Sequence, residues 1–182
     1  MAVAVACSPY AAAAILLAQF QQELAHTRAG APALMAVHQG DRVVAEACEC
    51  ELGWVAFGGG QPNDGRGRPP NTRGVVMWVF TLQMGVYRRY PLVANNAMPA
   101  LASIDSAARD VADDAEAMRR AVMAAYTDTP GLVVTLGAWR PVYPQGGIHG
   151  GIMEVSVEMT MGAFSDDVLP KLPGDPRPTI GP

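Results

Sequence analysis

The sequence predicts an α+β fold: a mostly antiparallel sheet with two main helices packed on one face. Three observations carry this. Residues 11–27 and 99–126 space their apolar side chains as helices do, whereas 75–90, 132–139 and 152–161 alternate with period two. The strand-like stretches follow one another directly instead of alternating with helices, which favours antiparallel pairing over βαβ units. The chain has 182 residues, half of them hydrophobic, which suits one domain with a sizeable core.

Helix one starts at Ser8-Pro9, with Ser as N-cap and Pro at the first helical position. It runs over 11–27 and ends before Gly30 and Pro32. Ile15, Leu16, Leu17, Phe20 and Leu24 form a wide apolar stripe fit for packing on a sheet. The apolar N-terminal run imitates a signal peptide, but no Lys or Arg precedes Arg28. It passes into Gln19, Gln21, Gln22 and Glu23, too short a run to span a bilayer.

Residues 38–57 read as extended, with a turn at Gly40-Asp41. Cys48 and Cys50 are two apart on a strand and share a face. With His38 they are metal-ligand types, but zinc sites use a CxxC pair and a second pair, so small buried apolar side chains is the plainer reading. Three cysteines do not make a disulfide framework, and a reducing compartment follows.

The next stretch, GGGQPNDGRGRPPNTRG over 58–74, has no apolar side chain and predicts a long flexible loop. Its Arg66, Arg68 and Arg73 form the main basic concentration. Two readings stand beside each other: a solubilising loop, or, in a ring, a basic strip repeated around an axis and facing DNA.

Residues 75–90 are the clearest strand. Trp78, Phe80, Leu82, Met84 and Val86 make one apolar face, and Arg88-Arg89-Tyr90-Pro91 ends it. Residues 99–126 are the clearest helix, with Leu101, Ile104, Ala108, Val111, Ala115, Met118 and Val122 as the core stripe. Asp105, Asp110, Asp113, Asp114 and Glu116 read as its solvated face, since the DxDxDG spacing of a calcium loop is missing.

Strands over 132–139 and 152–161 follow, the second with Met153, Val155, Val157, Met159 and Met161 on one face. They are expected to pair antiparallel, joined by the loop WRPVYPQGGIHGG at 139–151. That loop has neither GxxxxGK[ST] nor GxGxxG, and no helix follows to bind phosphate with its N-terminus. A catalytic His149 would need a nucleophile and an orienting carboxylate, but Ser103, Ser106, Ser156 and Cys48 sit in no nucleophile motif. A turn histidine is the plainer reading. Residues 1–164 form the domain, and 165–182, with five prolines, form an extended tail.

Charged residues are 16% and the net charge is -4. So few charges lean toward self-association, and no basic face predicts nucleic-acid binding. No constellation rises to enzyme chemistry, and none calls for a cofactor.

Three segments resemble the tail-terminator and neck proteins of long-tailed actinobacterial bacteriophages. They are FTLQMGVYRRYP (80–91), DVADDAEAMRRAV (110–122) and LGAWRPVYPQGGIHGGIMEVSVEM (136–159), the last being the most specific. The chain departs from the family pattern at Tyr90 and Ile148, where relatives carry Cys. The resemblance implies a non-catalytic virion protein, without cofactor, made in the host cytoplasm. It implies a homo-hexameric ring on the tail tube, stopping tube polymerisation and meeting a head-closure or connector protein, with DNA passing the channel. On this reading the 139–151 loop is a stiff turn at a subunit contact, with Trp139, Arg140, Tyr143, Gly146 and Gly147 as contact residues. Another neck component is the nearest alternative. A small-molecule-binding domain with Trp54, Trp78, Trp139 and the cysteine pair lining a pocket is the further one.

Overall fold

The computed structural model describes residues 8–39, 51–63, 76–93, 98–145 and 147–161. The elements run α1 (Pro9–Leu24), β1 (Leu34–Gln39), β2 (Leu52–Asn63), β3 (Val76–Arg89), α2 (Leu101–Asp128), β4 (Val133–Gln145) and β5 (Ile148–Met161). The strands form one sheet in the order β1-β2-β3-β5-β4. β1 lies parallel to β2, and every other pairing is antiparallel. This is the α+β fold with a mostly antiparallel sheet that the apolar patterns predict.

Period-two alternation decides which face the helices cover. Cross-strand partners share a face, so Val55, Met84 and Met153 line up on one side, as do Leu82 with Val155 and Phe80 with Val157. Leu16, Phe20 and Leu24 of α1 and Met118, Ala121, Val122 and Ala125 of α2 pack on that side in a single cluster. Burying the Leu, Phe, Met and Val side chains among them stabilises by about 1.5–3 kcal/mol each. The opposite face is polar over much of its area, with Glu154, Ser156 and Thr81 along it. It holds a smaller cluster of Trp54, Ala56 and Ile152, with Tyr87 tilted against Trp54 at 4.4 Å between centroids.

Helix α1 starts where Ser8-Pro9 predicts, although the Ser8 hydroxyl makes no capping bond. It ends at Leu24, three residues before the expected 27; the Thr27 hydroxyl donates to the Leu24 carbonyl and closes the turn. The sheet begins earlier than expected, at Leu34, because Met35 and Val37 of β1 pack on the main core. The expected 58–74 loop is strand as far as Asn63: β2 passes a register shift between Phe57 and Gly59 and keeps pairing with β3. The rest of that loop, including Arg66, Arg68 and Arg73, lies outside the described residues. So do Gly40-Asp41, Cys48, Cys50, Gly146 and the 165–182 tail.

The largest correction concerns 139–151, which is two strands and a tight turn, not a loop. β4 continues through Pro141 and Pro144 to Gln145, and β5 starts at Ile148. Proline is tolerated here because β4 is an edge strand, where a missing N–H faces outward and not into a ladder. Gly147, at φ 81°, supplies the left-handed residue of the turn, and its carbonyl accepts a 2.7 Å bond from the Tyr90 amide. Gly150 and Gly151 are not turn residues. A Cβ on Gly150 would meet the Val86 carbonyl oxygen, and one on Gly151 would sit 2.8 Å from the Trp139 indole nitrogen. They are glycine because backbone and ring approach too closely for a side chain.

Candidate assembly surface

Edge strand β4 and the neighbouring flank of α2 carry a group of exposed apolar side chains. Val133, Leu136, Trp139 and Tyr143 on β4 are exposed, Tyr143 to 79%. A bulge shapes this strand: Leu136 pairs with Val155 and Trp139 with Met153, so three steps on β4 match two on β5. Without it Trp139 would face the polar side of the sheet. With it, Leu136 and Trp139 both turn toward the helices, and Trp139 lies across Gly151. A second irregularity, between Val142 and Gln145, lies at Tyr143 and Pro144.

Beside Tyr143 an apolar groove of about 250 Å³ opens between β4 and the first half of α2. Ile104, Ala108 and Val111 wall it on the helix side, Pro141, Tyr143 and Pro144 on the strand side, and Tyr90 and His149 lie at its end. The expected α2 stripe is therefore only half core. Met118 and Val122 are buried, but Leu101 and Ala108 are exposed and Ile104 and Val111 partly so, because the core line runs instead through Ala107, Asp114, Ala117, Ala121 and Ala125.

The predicted contact residues do not all converge. Tyr143 lines the groove, and Trp139 flanks it on the same side of the sheet. Arg140 pairs with Ile152 on the opposite face, near Tyr87, whose hydroxyl is pushed up by burial and pulled back by that guanidinium. Gly147 sits in the turn against Leu92. The three tryptophans line no common pocket: Trp54 lies over Gly85 on the open face, Trp78 stacks on Phe80 within β3, and Trp139 is at the edge.

Behind the groove lies a charge pair that corrects one expectation: Asp114 is not on a solvated helix face. Its partner Arg88 lies where β3 ends, as expected, but it is buried. Arg88 is 2% exposed and Asp114 0%. The Arg88 guanidinium donates through Nε and Nη2 to both carboxylate oxygens of Asp114, at 2.7 Å each. It also donates to the Gly30 carbonyl at 2.9 Å and to Glu51 at 3.2 Å. One side chain thus ties β3 to α2, to the α1–β1 connection and to the start of β2. Burial pushes the Asp114 carboxyl up, and the Arg88 fork opposes that in part. Next to the pair, buried His149 packs edge-on to Tyr90 at 5.5 Å. Burial lowers its pKa; the Arg89 carbonyl and the charges of Asp110 and Asp114 act the other way, and Arg88 adds to the lowering. Arg88 engages both Asp114 oxygens, so this carboxylate braces the fold beside the groove.

On the far side of α2, Arg28 bonds Asp110 at 2.6 Å and the Ser106 carbonyl at 2.8 Å, holding the α1 exit against the helix. Among the described residues no helix is long and apolar enough to cross a membrane. Compared with known proteins, the chain matches no family model and no curated protein.

Proposed function

We propose that this protein is a structural component of a phage virion: a tail terminator that closes into a homo-oligomeric ring on the tail tube. The observation that carries the reading is the exposed apolar flank of edge strand β4 beside the α2 groove. Large exposed apolar patches mark association surfaces. Edge strands are natural sites of association unless something blunts them, and here Pro141 and Pro144 interrupt the edge, while residues 133–140 have no second partner strand among the described residues. The site is one flank of the molecule, and a one-flank contact with a different surface of the next copy makes a ring where the rotation between copies closes. The resemblance of 80–91, 110–122 and 136–159 supplies the identity of the ring. On this reading the tail tube and a head-closure or connector protein are its axial partners, DNA passes its channel, and the assembled particle is where it resides.

Native mass spectrometry of the full chain over a concentration series, with negative-stain images of the same samples and of mixtures with purified tail tubes, tests it. Six-fold rings, free or on tube ends, are the expected outcome. A monomer at every concentration that also ignores tube ends would overturn the reading.

A further inference from the structure

We infer that the groove between α2 and β4 receives the proline-rich C-terminal segment of a neighbouring copy. This rests on the ring reading and adds to it which parts of two copies meet. The 165–182 segment contains LPKLPGDP, with Pro170, Pro173 and Pro176 three apart, and Leu169 and Leu172 likewise three apart. A spacing of three is the turn of a polyproline II helix, so the prolines share one edge and the leucines another. Such helices dock in grooves lined by aromatic side chains, because little conformational entropy is lost on binding. The groove has that chemistry. Tyr143 and Tyr90 supply rings, Pro141 and Pro144 a stiff wall, and Ile104, Ala108 and Val111 an apolar wall. Its volume of about 250 Å³ suits two or three side chains and not a folded element.

Geometry sends the segment to another copy. The groove lies at the His149 end of β5, and the segment leaves from the other end, at Met161. β5 pairs with β3 without a break from Ile148 to Met161, so the two ends are separated by roughly 40 Å at about 3.4 Å per residue. Leu169 is eight positions past Met161 and reaches at most about 28 Å, even fully extended. Pro173 barely covers the distance, and only along a straight path. Leu169 and Pro170 therefore fall short of their own groove, and Leu172 and Pro173 meet it only with the chain fully extended, which leaves no slack for the helical path of the docked segment. A neighbour's groove is subject to no such limit, and a ring supplies every copy with one tail to give and one groove to fill.

The test uses a fluorescein-labelled peptide of residues 165–182 and the full chain carrying Leu169→Ser and Leu172→Ser, which leaves its grooves without a native tail. Fluorescence anisotropy should report saturable binding. Ala108→Arg, placed on the exposed groove wall of the same chain, should weaken it about tenfold or more. A peptide of the same composition with the proline spacing scrambled should bind no better than that. Unchanged circular dichroism and melting temperature show that the variants fold. No saturable binding, or equal binding by the Ala108→Arg chain or the scrambled peptide, overturns the docking. Native mass spectrometry of the wild-type chain judges the ring separately. Peptide binding with a wild-type monomer would sink the ring and keep the groove; rings without peptide binding would do the reverse.

Discussion

Arg88 and Asp114, 26 positions apart in the chain, meet as a fully buried two-point fork, with both contacts at 2.7 Å. Each buried charge is tolerable only because the other is present. Removing one partner strands the other in an apolar core, at a cost of about 3–5 kcal/mol, whereas replacing both by apolar residues of similar volume is close to neutral. Arg88→Met alone and Asp114→Leu alone should each lower denaturant stability by that amount. The double variant should recover most of the loss. A double variant as unstable as the sum of the singles would mean that Arg88 acts mainly through Gly30 and Glu51.

His149 makes stability pH-dependent. Its folded pKa is lowered from 6.5, chiefly by burial, so below that value the unfolded chain binds the proton more readily than the folded one. Its contribution therefore weakens as pH falls from about 7 toward 5. Asp114 has a raised folded pKa, from 3.8, and contributes in the opposite sense at pH values above 3.8. The melting temperature of wild type should drop on acidification through the histidine range, and His149→Gln should flatten that slope. An identical slope in the variant would assign the effect to another group.

The glycines of the β4–β5 hairpin should separate into two classes. Gly147→Ala forces a Cβ into a left-handed conformation near Leu92, and its cost should be about 1–2 kcal/mol. Gly150→Ala drives a methyl into the Val86 carbonyl between two paired strands. It should cost more than Gly147→Ala and weaken amide protection along the β3–β5 ladder. Hydrogen exchange on the two variants distinguishes a local turn defect from a broken ladder.

Tyr143→Asp tests the surface without touching the core. Tyr143 is 79% exposed, so the monomer should keep its stability within about 0.5 kcal/mol. Oligomer formation on native mass spectrometry should nevertheless be lost or shifted to higher concentration. Retained oligomers would move the contact away from this flank.

Much of this architecture was legible in the sequence, because periodicity reports which side of an element is apolar. The alternation from Phe80 to Val86 and from Met153 to Met159 predicted two strands with one core face, and both lie side by side in the sheet. Helix spacing over 99–126 placed α2 and half of its buried line. The same parity already put Arg88 on the apolar face with Phe80, Leu82, Met84 and Val86, and helical spacing put Asp114 on a line with Ala107, Ala121 and Ala125. Each alone looked like an ordinary charged residue. Only tertiary structure could show that they cancel, because burial of a charge depends on a partner from a distant element and not on its own neighbours. Trp139 and Arg140 were expected to act together as contact residues, but a bulge opposite Glu154 sends them to opposite faces. The prolines and glycines of 139–151 spelled a loop because they break isolated strands. Position at the sheet edge, where the outward hydrogen-bond row has no partner strand among the described residues, turned them into a hairpin. What the chain determined by itself is the fold class, the two helices, and the core faces of β3, β5 and part of α2, since these follow from local periodicity. What the tertiary structure decided is the buried ion pair, the course of β4 and the groove beside it, since each depends on which strand lies at the edge and which elements meet.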